Sequence, residues 1–187
     1  MKRSLMRAAE SNDIHTLCTL LDTVKSDVQY RKILHVLLSS VVERNHIDIA
    51  RELLARGADS NIVYKGRVPL HDAIEYNYID MVQLLLEYGA DPNIPTDEDD
   101  RGNEMYAIHL AADNGYLSIV ELLLDHGVDI NQTTFHGHSL LHIAYHTNNM
   151  DMFHYLLERG ANPKYISTLN STLCNDLNVL LATYTTK

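Results

Sequence analysis

The 187-residue chain carries 15 Lys and Arg against 25 Asp and Glu, a net charge of −10 with a pI near 5.4, so on average it repels polyanions such as nucleic acid and steers in a basic partner. Its 45% apolar content can bury a continuous core and argues against disorder, no run of about 18 apolar residues offers a membrane span, and Met1-Lys2-Arg3 leads into no signal-peptide pattern. Cys18 and Cys174 lie at opposite ends of the chain, too far apart in sequence for a disulfide scaffold or a paired metal motif, and are read as reduced, intracellular thiols.

In chain order, residues 4–35 read as an N-terminal capping unit, with the helix pair LMRAAESNDIHTLCTLL from Leu5 to Leu21. Residues 36–67 contain VLLSSVVERNHIDIARELLARGADSN, Val36 to Asn61, a faint copy of three stretches nearer the C-terminus. Residues 68–105 open with VPLHDAIEYNYIDMVQLLLEYGADPN, residues 106–138 with YAIHLAADNGYLSIVELLLDHGVDIN, and residues 139–164 with SLLHIAYHTNNMDMFHYLLERGANPK. Residues 165–187 form a C-terminal cap or the start of a further region, with Leu173, Leu177, Leu180 and Leu181 spaced for a closing helix over Thr172 to Tyr184.

Each copy predicts a short helix, a break at Asn or Gly, and a second helix with apolar residues at helical spacing, such as Ile79, Val82, Leu85 and Leu86. The breaks at Asn12, Asn45, Asn77, Gly115 and Asn148 are 33, 32, 38 and 33 residues apart, a 33-residue period with one insertion. Gly89, Gly127 and Gly160 occupy the place where a helix C-cap wants a left-handed residue.

The Pro-Leu-His of Pro69 to His71 and the recurrent Leu-Leu-x-x-Gly-Ala-Asp-x-Asn segments resemble the ankyrin repeat, over about residues 4 to 164. The resemblance implies an all-α solenoid of helix-turn-helix units with short β-hairpins between them, in one domain spanning 1–187. Two copies depart from the pattern: Leu37-Leu38-Ser39 stands where the motif has Pro-Leu-His, and Ala107 replaces Pro. Leu85, Leu86, Leu123, Leu124, Leu156 and Leu157 are then core, and His71, His109 and His142 take the motif histidine that ties one unit to the next. Asn61, Asn93 and Asn131 suit hairpin turns by bonding local backbone. The segment ending at Asn131 also resembles ankyrin sites modified by asparaginyl hydroxylases.

Chemical sites are poorly supported. His136, His138, His142 and His146 form the densest histidine cluster, yet two lie in a hairpin and no Cys or acidic ligand is close in sequence to complete a zinc set. Asp97-Glu98-Asp99-Asp100 begins like a calcium loop, but Arg101 and Ile108 stand where ligands belong. No phosphate loop, nucleophile elbow or kinase set occurs. The expectation is a protein without enzymatic activity, cofactor or metal.

The resemblance places binding on hairpin tips and on the exposed side of each first helix. Carried onto this chain, those positions are Tyr64, Lys65, Arg67, Glu75 and Tyr76, then Asn103, Met105, Asp113 and Asn114, then Phe135, His136, His138, His146 and Thr147. Exposed aromatic residues at such places suit a protein interface. The insertion carrying Asp97, Glu98, Asp99 and Asp100 predicts an acidic finger suited to Lys and Arg of a partner. The leading reading is a monomeric, cytoplasmic adaptor that binds a protein partner, with neither nucleic acid nor membrane. Alternatives are a microbial or viral effector acting on proteins of a host cytoplasm, and the recognition domain of a larger enzyme-bearing polypeptide.

Overall fold

A computed structural model describes residues 1–25, 29–64, 66–96 and 104–165. The described residues form ten α-helices in antiparallel pairs and a final 3-10 turn, Pro163–Tyr165. They contain no strand, and the hairpins are reduced to isolated bridges at Tyr64–Arg67 and Thr133–Ser139. The helix-turn-helix expectation therefore holds, and the chain is all-α.

The chain divides into two compact units, Met1–Asp97 and Glu98–Lys187, with the division inside the acidic insertion. In the first unit, α1 (Lys2–Glu10) pairs with α2 (Ile14–Val24), α3 (Tyr30–Val42) with α4 (Ile47–Ala55), and α5 (Pro69–Glu75) with α6 (Ile79–Glu87). Helices α1, α3 and α5 pack in sequence, and α4 packs on α6. The second unit pairs α7 (Ala107–Asp113) with α8 (Leu117–Asp125) and α9 (Leu140–His146) with α10 (Met150–Glu158), and α7 packs on α9.

One backbone device repeats through both units. Asn12, Asn45, Asn77 and Asn148 have φ of 55–56°, and Gly115 has φ of 76°, each ending the first helix of its pair. Asparagine tolerates this left-handed turn better than other side chains because its short amide can satisfy nearby backbone. The turn lets the next N–H return to a carbonyl five residues back, as in Asp13 N–H to Ala8 O at 2.9 Å, Tyr78 to Ala73 at 2.9 Å and Asn149 to Ala144 at 2.8 Å. Second helices end on the same bond, Ala90 to Leu85 at 2.9 Å and Ala161 to Leu156 at 2.9 Å.

The first helix of a pair starts after an extended residue in α5, α7 and α9, and α3 departs from this. Pro69 sits at the first turn of α5 after extended Val68 (φ −101°, ψ 156°), because proline lacks the N–H and disfavours helix before it. Proline is not required for the stop, because α7 and α9 open at Ala107 and Leu140 after extended Tyr106 and Ser139; at Leu37 the chain is already helical, and α3 continues back to Tyr30, reaching 13 residues where α5 has 7. The boundary expected between residues 35 and 36 thus falls within a helix.

The cores are aliphatic: Leu34, Leu38, Leu53, Leu70, Ile74 and Leu85 are fully buried in the first unit, and Ile108, Ile119, Leu123, Phe153 and Leu156 in the second. Two expected core positions, Leu124 and Leu157, differ, and so does Ile79 of the apolar helical spacing. Ile79 opens α6 at its edge and is 40% exposed, while Leu124 and Leu157 are only half-buried because they lean off the packed face of their helices. Met81 and Leu84 complete the α6 core instead.

Neighbouring repeats are tied by side chains that reach the next turn. His71 Nε2 meets Ile94 O at 3.0 Å, and His109 Nε2 meets Gln132 O at 3.0 Å. The hairpin asparagines work differently from the expectation of local bonding: Asp59, Asp91 and Asp129 accept the local N–H of Asn61, Asn93 and Asn131, each at 2.9 Å. Asn61 is thereby freed to reach forward, donating to Gly89 O at 3.0 Å and accepting from Asp91 N at 2.7 Å. Asn131 likewise accepts from Asn162 N at 2.8 Å. Asn61→Ala should lower the unfolding free energy in urea by about 1–2 kcal/mol, since two hydrogen bonds go, whereas Asn93→Ala, exposed and bonded only locally, should stay within about 0.5 kcal/mol.

Candidate functional site

The first unit carries the Tyr64–Arg67 turn and the C-terminal end of α5. Tyr64 and Arg67 exchange backbone hydrogen bonds at 2.8 and 3.2 Å, which leaves the Tyr64 ring 44% exposed. Arg67 turns back onto its own repeat, with Nε 2.8 Å from Asp72 and its terminal nitrogen paired with Glu75. Burial pushes the Asp72 carboxyl upward and outweighs the opposing pull of Arg67, so the pair is set in a partly dehydrated place. Arg67 and Glu75 are therefore engaged with each other in this structure. Tyr76, 52% exposed at the end of α5, stacks on Tyr78 with ring centroids 5.5 Å apart.

In the second unit, Phe135 is the most exposed aromatic ring of the expected set, at 59%. The turn that carries it closes through Thr134 N–H to His138 O at 2.9 Å and Gly137 N–H to Thr134 O at 2.8 Å. Its ring stacks on Tyr106 with centroids 5.6 Å apart, and Tyr106 lies 5.7 Å from the buried His109 ring. Met105 is half-buried. Asp113 and Asn114 are exposed at the end of α7, where Asn114 donates to Leu110 O at 2.9 Å. Thr147 is exposed at the end of α9, its hydroxyl donating back to Ile143 O at 2.9 Å.

The four clustered histidines form a row across the turn and along α9. Ring centroids are 6.3 Å apart for His136–His138, 4.5 Å for His138–His142 and 6.1 Å for His142–His146. Burial pulls the His138 and His142 pKa values down, and the neighbouring imidazoles reinforce this. His142, assigned to the motif position, thus differs from His71 and His109: it is half-buried and stacked within this row. Stacked rings present faces to one another, whereas a metal needs nitrogens converging on a point. Among the described residues no three His, Cys, Asp or Glu side chains converge in that way.

Lys65, Asn103, Asp97, Glu98, Asp99, Asp100, Cys174 and the closing helix expected over Thr172 to Tyr184 lie outside the described residues. Sequence reasoning misses two aromatic neighbours, Tyr78 and Tyr106, because neither occupies a variable surface position of the repeat. It also misses Val63, 59% exposed beside Tyr64. The signal for Val63 is an apolar residue just past the recurrent Asp-x-Asn turn, in a hairpin that should be polar.

No helix among the described residues is long and apolar enough to cross a membrane. No curated protein matches the chain. A family model described as ankyrin repeats in three copies matches residues 5–96 and again 95–166. With the left-handed helix breaks, the buried tying histidines and the paired helices on view, the chain belongs to the ankyrin-repeat family.

Proposed function

We propose that this protein is a non-catalytic adaptor that binds a protein partner through its turn tips and the exposed ends of its first helices. Ankyrin repeats are in general protein–protein interaction modules. The observation that carries the reading here is the exposure of Tyr64, Tyr76 and Phe135 at 44%, 52% and 59%, in a fold that has a full aliphatic core elsewhere. Large rings held in water by well-formed turns are the kind of side chain that dominates interface energetics.

Met105 and the histidines of the second unit would supply adaptable contacts around these rings, and Arg67 would have to exchange its internal carboxylates for external ones. The acidic insertion would favour a partner with Lys or Arg, a contribution that weakens with salt. The test is a quantitative pull-down comparing wild type with a Tyr64, Tyr76, Met105 and Phe135 quadruple alanine variant. A partner captured by wild type should bind a folded variant at least about 30-fold more weakly, from the loss of roughly 2 kcal/mol or more at one true hot spot. Equal capture by both proteins defeats the assignment.

A further inference from the structure

The backward extension of α3 creates a surface that the α5 and α9 repeats lack. Tyr30 to Val36 are helical where the α5 and α9 repeats have a turn, and the added helix leaves Ile33 and Val36 half-buried. Two hollows adjoin there and share Lys32 and Val36. One, of about 200 Å³, lies between α3 and the exposed Val63 and Tyr64. The other, of about 360 Å³, continues along Ile33 to Val24 and the N-terminal Met1.

Their charge is the reverse of the chain's. Acidic residues outnumber basic ones 25 to 15 overall, yet the formally charged residues lining these hollows, among those described, are Lys2 and Lys32. His35 adds an imidazole at the same rim. The floor is apolar, through Val24, Ile33, Val36 and Ile62, and Val63 stands exposed at one edge.

We infer that this groove on the first unit receives an extended peptide segment whose apolar side chains fill the two hollows and whose carboxylates meet Lys2 and Lys32. The inference rests on the protein-binding reading above and specifies a partner chemistry opposite to that implied by the net charge. At about 200 and 360 Å³ the hollows lie below and at the low end of the roughly 300–1,000 Å³ of a typical small-molecule pocket, and side by side they suit a row of side chains. An apolar floor supplies affinity, and the lysine rim selects sign and orientation. Most of the apolar lining, Val24, Ile33, Val36 and Ile62, is recessed, which favours a peptide over a membrane gripped by apolar groups that protrude.

The experiment is selection of a random peptide library, displayed on phage, against the full chain, followed by titration of the synthetic consensus peptide. Enriched sequences should combine Asp or Glu with large apolar residues. The consensus peptide should bind about tenfold more weakly to Lys32→Glu, an exposed change compatible with folding, and to Val36→Asp, while Phe135→Ala in the second unit leaves it unchanged. Circular dichroism confirms that each variant is folded. Failure to enrich, enrichment of Lys- or Arg-rich sequences, or undiminished binding by Lys32→Glu overturns the inference. So does Lys32-dependent binding to phosphatidylserine vesicles without peptide selection. If these arms fail while the quadruple alanine variant still loses its captured partner, the acidic-peptide groove falls and the adaptor reading stands.

Discussion

Phe153→Ala should destabilise the second unit by about 3–5 kcal/mol, enough to remove most of the stability of a small domain. Phe153 is fully buried and is the largest wholly buried side chain among the described residues. It lies on α10 and meets the Tyr145 ring of α9 edge-on, with centroids 6.3 Å apart. Alanine would remove the ring's burial and leave a cavity between two short helices of 7 and 9 residues, which have little stability of their own. Urea unfolding of the full chain should show a large fall in midpoint for Phe153→Ala and a smaller one for Phe153→Leu, which keeps most of the volume. Phe135→Ala, at an exposed ring, should change stability by no more than about 0.5 kcal/mol. A Phe153→Ala midpoint near wild type would mean that α10 is not held by this ring.

His109→Ala should cost about 2–4 kcal/mol near neutral pH, combining a cavity with a carbonyl left without its donor. His109 is fully buried, and its Nε2 donates to Gln132 O at 3.0 Å, which leaves Nδ1 as the unprotonated nitrogen. Among the described residues Nδ1 is buried without a hydrogen-bond partner, so a second proton there would create an unsatisfied N–H and a buried charge. Burial accordingly pulls the His109 pKa down, with His138 adding to the effect against the hydrogen bond to Gln132.

Linkage fixes the sign of the pH dependence. An unfolded histidine titrates near about 6.5, and above that value both states are neutral, so stability is at its full value. As pH falls below it the unfolded chain takes up the proton first, and stability is lost. His138 and His142, also lowered by burial and by neighbouring imidazoles, act in the same direction. Thermal melting of wild type between about pH 7 and pH 5 should therefore show an acid-side loss that is smaller in His109→Ala. The comparison isolates the histidine, because the carboxylates that titrate toward the pI of 5.4 are common to both proteins. Parallel pH profiles would remove His109 from the acid response.

The repeat period, the pairing of helices and the positions of their breaks are legible in the chain. Asn12, Asn45, Asn77, Gly115 and Asn148 mark the breaks because few residues tolerate positive φ, and the structure puts all five there. Spacing of Leu and Ile places most of the core for the same local reason: a helix face repeats every three to four residues. The positions of the expected binding residues are legible too, but not their engagement. Nothing in the sequence ties up Arg67, and only folding brings Asp72 and Glu75 onto its guanidinium.

What the sequence by itself determined was the set of local, periodic decisions, each made by one residue's backbone preference or by the apolar stripe of one helix. The tertiary structure alone decided which side chain meets which across repeats: Asn61 with Gly89 and Asp91, Phe135 with Tyr106, and Val36 with Val63 across a lysine-rimmed hollow. Those pairings depend on the depth and rotation with which one helix pair stacks on the next, and on how far α3 runs toward its N-terminus. They are sums of many weak packing contacts, which no single residue or spacing encodes.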